Sequence, residues 1–289
     1  MVITFVFLAV LIAIAGAVID VGSWYRAHRQ MQATADASAL AGVQELPAST
    51  SAALAQALDY ADRNDGGVQS QDVEFSGTTA PNDTIKVTAR MAAPGVFTRL
   101  FGIDSVTARA AAKARTGTLG SARWAAPIGV DERHPDLQCQ PTPCFGNPST
   151  LDLNKVGPGS FKILNIDGSR GGTSSATLGV WIDRGLDAYM PLQWYWGEPG
   201  SSFNSSHVRD ALKNRIGTEL LFPIFRDVRG GGTNFQYEVV GWVGWHLTGY
   251  KIGGRGVLEG WFTSVIWEGI ESEPATGDDF GARAISLVE

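Results

Sequence analysis

Residues 1–19, MVITFVFLAVLIAIAGAVI, form an uninterrupted apolar run with no charge, and Thr4 is its one strongly polar residue. As a helix, such a run extends about 29 Å at 1.5 Å per residue, close to the roughly 30 Å hydrocarbon core of a bilayer. A cleaved signal peptide is the competing reading. The run is longer than a usual signal core, has no charged region before it, and continues past Ala15-Gly16-Ala17 to Val18 and Ile19. A retained transmembrane anchor is therefore expected, with Phe5, Leu8, Leu11 and Ile14 in the span.

Orientation is less direct. The first charges after the run are Asp20, Arg26 and Arg29, and the positive-inside rule taken literally leaves the body of the chain in the cytoplasm. Cys139 and Cys144 argue the other way. They bracket a polar, proline-rich loop, where a disulfide would close a short excursion in an oxidising compartment. An extracytoplasmic body is expected. The charge count is reconciled if a short basic stretch is missing ahead of Met1.

From Asp20 the chain reads DVGSWYRAHRQMQATADASALAGVQEL, with no proline before Pro47 and abundant alanine. The membrane helix is expected to continue into solvent as one rod. Trp24 and Tyr25 fall at headgroup level, where aromatic rings anchor a span. Ala27, Met31, Ala35, Ala39 and Gly42 recur at helical spacing beside Leu40 and Val43, a small-residue stripe that admits a close partner backbone. Asp36 within it reads as a solvated acid rather than a catalytic one.

Asp20-Val21-Gly22-x-x-Tyr25, followed by Met31-Gln32-Ala33-x-Ala35-Asp36-Ala37-x-Ala39-Leu40-Ala41, resembles the N-terminal signature of the TadE/TadG-like Flp (tight-adherence) pilus-assembly proteins. Type, order and spacing agree over some forty residues. Met31 stands for the usual Leu, Thr34 and Ser38 for Ala, and the basic stretch before the span is missing. The resemblance implies a single-pass protein related to minor pilins, with its bulk outside the inner membrane and no enzymatic activity. Some members carry a von Willebrand factor A domain; no Asp-x-Ser-x-Ser run of that kind occurs here.

Beyond the stalk, Ser49-Thr50-Ser51 can cap a helix to Ala61, with Leu54, Ala57, Leu58 and Ala61 on one face. Asp72–Phe75 and Thr84–Arg90 read as paired strands, and Phe97–Gly102 as a short apolar turn. Val106 to Arg115 alternates as a third strand. A linker is expected over 116–123. From Trp124 the chain turns to strands and turns, in keeping with 35 Gly, 13 Pro, 9 Trp and only 18% charged residues. Phe161–Ile166, Leu178–Ile182, Leu220–Phe225, Phe235–Leu247 and Val257–Trp267 are strand candidates, with Gly230-Gly231-Gly232 and Gly253-Gly254 as turns. One helix is expected, capped by Ser205 or Ser206 and burying Val208, Leu212 and Ile216.

The expected class is α+β: a transmembrane helix (1–19), then a stalk helix with a small, pilin-like α+β unit (20–115). A linker (116–123) leads to a mainly antiparallel β domain, sandwich or barrel-like, with one helix (124–270). The last segment, 271–289, reads as a tail or a final strand.

Motifs for chemistry are few. His134, Cys139 and Cys144 offer three zinc ligands where structural zinc takes four, so a disulfide is the stronger reading and no metal is expected. Asn165-Ile166-Asp167-Gly168 lacks the further acids of a calcium loop, and Gly168-Ser169-Arg170-Gly171-Gly172 lacks the end of a phosphate-binding loop. No Gly-x-Ser-x-Gly elbow occurs, and the four histidines lie in unrelated contexts, which leaves a tethered hydrolase as a remote alternative and no cofactor. Trp194 and Trp196, on one strand face, are candidates for stacking on a surface glycan, though tryptophans more often serve packing. A net charge of −6 argues against nucleic acid as partner. The expected partners are the bilayer and other pilus-assembly proteins, engaged through Asp20, Gly22, Tyr25, Met31, Gln32, Ala35, Asp36, Ala39 and Leu40, with contact to the cell envelope through the β domain.

Overall fold

The structure is a computed structural model describing residues 2–140, 142–154, 157, 159–198, 200–231, 234–252, 256–272 and 278–288. Met1 of the anchor, the turn residues Gly232, Gly253 and Gly254, and residues 273–277 and 289 of the expected tail lie outside the described residues. The chain divides into two compact units, 1–116 with 285–289, and 117–284.

The first unit begins with α1, Val2–Gly42, a single helix of 41 residues. Ala-rich composition and the lack of an internal proline let it run from the apolar segment into the polar one without a break. α2, Thr50–Arg63, starts at Ser49, whose Oγ accepts the Ala52 N–H at 3.1 Å. β1 (Val73–Ser76), β2 (Thr84–Pro94) and the first part of β3 (Ser105–Ala122) form an antiparallel meander, with Val73 opposite Val87 and Val87 opposite Ala112. In β3, Ala108, Ala110, Ala112 and Ala114 are buried, while Val106, Thr107, Arg109 and Ala111 are exposed.

Ala27, Met31, Ala35, Ala39 and Val43 of α1, Ala53, Ala57 and Ala61 of α2, and Ile85, Val87 and Ala89 of β2 share one core with those β3 alanines. Methyl side chains bring the backbones close but contribute little each, about 0.8 kcal/mol per buried carbon group. Polar staples therefore carry unusual weight in this unit. Asp83 is wholly buried and accepts from the N–H groups of Thr78, Thr79 and Ala80 and the hydroxyls of Thr78, Thr79 and Thr84, at 2.7–3.0 Å. That one carboxylate organises the whole β1–β2 connection.

The second unit contains β4 (Ile128–Asp131), β5 (Ser149–Asp152), β6 (Phe161–Leu164), α3 (Ser175–Arg184), β7 (Met190–Pro191) and β8 (Trp194–Glu198). It continues with α4 (Ser206–Arg215), β9 (Glu219–Gly231), β10 (Asn234–Lys251), β11 (Val257–Thr263), β12 (Val265–Ile266) and β13 (Gly269–Glu271), and with the start of β14 (Ala282–Val288). Strand pairing runs β5-β11-β10-β8-β6-β4-β9, and β9 pairs again with β10, so five of these strands close on themselves. All these pairs are antiparallel except β4 with β9. Trp245, Phe222, Phe262, Phe161 and Phe203 pack with Leu178 and Ile182 of α3 and Val208 and Leu212 of α4 in one core. Trp242, Tyr195, Phe225 and Tyr237 belong to another. Trp242 and Trp245 thus serve opposite faces of β10.

The expectation of one helix in this unit is corrected: α3 covers the segment expected as a strand at Leu178–Ile182. Ser174 caps it by accepting the Thr177 N–H at 3.1 Å, Leu178, Trp181 and Ile182 are its buried face, and Gly185, at φ 80°, ends it. Close packing on α4 requires a glycine at 179, since a Cβ there would stand 2.9 Å from the His207 carbonyl oxygen.

Candidate functional site

Every described residue from Val2 to Ile19 is exposed except Gly16, including Phe5, Leu8, Leu11 and Ile14. This helix is long and apolar enough to cross a membrane. A bare apolar helix of this length has no place in water, whereas in lipid its backbone groups are already satisfied along the helix.

The character of α1 changes at Asp20. Its side chain is wholly buried and accepts three consecutive backbone N–H groups, from Val96 at 2.8 Å, Phe97 at 3.0 Å and Thr98 at 2.7 Å. Those are the open donors at the start of a short 3₁₀ turn, Thr98–Phe101, in the β2–β3 connection. One turn of α1 earlier, Phe97 lies on Gly16, where a Cβ would come within 2.4 Å of the ring. Leu100 and Phe101 then flank an apolar groove of about 340 Å³ with Ala9, Ile12 and Ala13. Gly22, the other fixed position of the Asp-x-Gly pair, is exposed, and a Cβ added there would meet nothing within 4 Å.

After the exit, Trp24 is half-buried against the alanine core and Tyr25 is exposed. Met31, Ala35 and Ala39 are wholly buried, and Leu40 is half-buried against the same core. This corrects the expected role of the alanine stripe: it is covered by α2 and the sheet of its own unit, and is not open to a second chain. The face beside it grips β3. His28 Nδ1–H donates to the Arg109 carbonyl at 2.9 Å, and Gln32 Nε2 donates to the Ala111 carbonyl at 3.4 Å and to Asp36 at 2.8 Å. Four helical residues advance about 6 Å and two strand residues about 6.6 Å, so the two spacings match.

In the second unit, Cys139 and Cys144 are joined as a disulfide. His134, beside them, caps the next turn by accepting the Asp136 N–H at 3.2 Å, and its ring meets Phe262 edge-on at 4.9 Å. Trp194 and Trp196 are half-buried and share the outer face of β8. The Arg229 guanidinium lies over Trp194 at 4.1 Å and that of Arg170 over Trp196 at 5.1 Å, so each ring carries a cation on one of its faces. His246 stacks on Trp261 at 4.4 Å and binds Glu219 at 2.9 Å. Asn165 is buried, donates to the Ser169 carbonyl at 3.2 Å and braces the turn that leads to α3.

Reading residues alone missed the bond between Asp20 and the 96–98 backbone, and the Asp83 hub. Their partners are separated by sequence or by ordinary-looking threonines, and the one available signal was an acid immediately at the end of an apolar run.

Residues 1–45 match a family model described as "Putative Flp pilus-assembly TadE/G-like". Comparison with curated proteins and with solved structures returns no match.

Proposed function

We propose that this chain is a single-pass, membrane-anchored component of a tight-adherence (Flp) pilus system, of minor-pilin type, which acts by anchoring and presentation and not by catalysis. The observation that carries the reading is the two-part exposure of one unbroken helix. Its first half is apolar and bare and its second half is buried in a folded unit, within the same residues that match the pilus-assembly family. Val2–Ile19 holds the bilayer and offers the surface through which other pilus-assembly proteins pack. The Cys139–Cys144 disulfide supports a body outside the inner membrane. The histidines support a structural reading, since His28, His134 and His246 each brace a neighbouring element.

The test combines extraction and topology. Alkaline phosphatase fused after Glu289 is expected to be active, and the chain to stay in the membrane pellet at alkaline pH. Leu8→Lys with Leu11→Lys should release it and abolish recovery of other pilus proteins with it. A chain released by alkali without those substitutions, or an inactive fusion, overturns the reading.

A further inference from the structure

The connection Gly95–Asp104 carries Val96, Leu100, Phe101 and Ile103 with 62%, 81%, 79% and 46% of their surfaces exposed. Four large apolar side chains on one short loop are unusual for a water-facing turn. We propose that this loop is a second membrane-inserting element, seated among the phospholipid acyl chains beside α1. The proposal rests on the anchor reading and extends it from one membrane contact to two.

Register along α1 sets the depth. Phe97 sits on Gly16, and the loop tip lines a groove with Ala9 and Ile12. Ala9 precedes Asp20 by eleven residues, about 16 Å along a helix, which is roughly half of a 30 Å hydrocarbon core. A helix that crosses the bilayer through Val2–Ile19 therefore carries Leu100 and Phe101 into the acyl region with it. Continuity with the apolar face of the span identifies lipid as what covers them.

Most N–H groups of the loop also have acceptors, which lowers the cost that keeps most loops out of lipid. Asp20 takes the N–H groups of Val96, Phe97 and Thr98. Within the loop, Leu100 donates to Phe97, Gly102 to Arg99, Ile103 to Thr98 and Gly95 to Asp104, at 3.0–3.1 Å. Its two charges are paired, Arg99 Nε with Asp104 at 3.1 Å, and the long arginine stem lets its head reach the headgroup level. Asp20 thus works as the device that makes this turn fit for an apolar medium, which assigns a purpose to the acid at the end of the run.

The full chain is reconstituted into phosphatidylcholine–phosphatidylglycerol vesicles with a nitroxide on Leu100→Cys or Phe101→Cys, the native cysteines being paired. Leu8→Cys serves as the reference for lipid and Asp62→Cys, on exposed α2, for water. The expected result is broadening by oxygen and loss of broadening by a water-soluble nickel chelate at residues 100 and 101, as at residue 8. Nickel broadening at both loop positions, with residue 8 still protected, overturns the proposal and leaves the anchor standing. Protection from both reagents means that a second copy of the chain covers the loop, which also overturns it. Nickel broadening at residue 8 overturns the anchor and the proposal together.

Discussion

The ring of Phe97 lies against the bare Cα of Gly16, so close that a Cβ there would stand 2.4 Å from ring carbon Cγ. Gly16 is the one buried residue between Val2 and Ile19, and its burial is this contact. Gly16→Val is expected to lift the loop from the helix at an overpacking cost of about 1–3 kcal/mol. Amide exchange in 95–104 should rise, by about thirtyfold at the middle of that range, while α2 amides keep their rates. Unchanged exchange in the loop would show that the contact does not hold it.

Asp20 orders the same segment through charge. Asp20→Ala leaves three backbone donors without an acceptor, and Asp20→Asn leaves a neutral one. The expected ranking of loop protection by amide exchange is wild type, then Asp20→Asn, then Asp20→Ala. Equal protection in all three would remove the acid from this role.

The alanine stripe belongs to a core, so enlarging it should damage its own unit. Ala39→Leu is expected to cost about 1–3 kcal/mol and to raise exchange in α2 and β2, with 219–251 unaffected. Ala35→Asp buries a charge and should unfold the unit outright. Loss of partner binding without any change in α2 protection would instead return the stripe to an intermolecular surface.

Asp83 gives the unit an acid limb. Burial alone would raise its pKa, but the Thr84 hydroxyl and the N–H groups of Ala80 and Thr79 outweigh it and hold the carboxyl well below its ordinary value near 3.9. The stability it contributes is complete above about pH 4 and is lost as the pH falls further, toward the folded-state pKa. Protection of β1 and β2 amides should therefore decline below about pH 4 in the wild type and decline less in Asp83→Asn. Asp83→Ala should cost on the order of 3 kcal/mol at neutral pH, from donors left unmatched.

What the sequence disclosed depended on how local each signal was. The apolar run, the unbroken α1, the Ser49 cap and the alternation of β3 all lie within a few residues of one another, and the helix and strand followed directly from them. The segment of α3 carries a strand signal, Leu178, Val180 and Ile182 in alternation with Trp181 among them, although Ser174 and Gly185 frame a helix of ten residues. The stripe from Ala27 to Ala39 announced a packing face but not its occupants, which are α2 and, from residue 84 onward, β2 and β3. Asp20 and Phe97 meet across 77 positions, a pairing that composition and spacing do not encode.

The matched grip of His28 and Gln32 on β3 fixes how load would travel through the first unit. Their spacing along the helix matches the spacing of their acceptors along the strand, so tension on the anchor meets them side by side. They would have to yield together in shear, as rungs of a ladder do, instead of peeling one after another. A subunit tugged by its foot would then hold its shape until the whole seam slips.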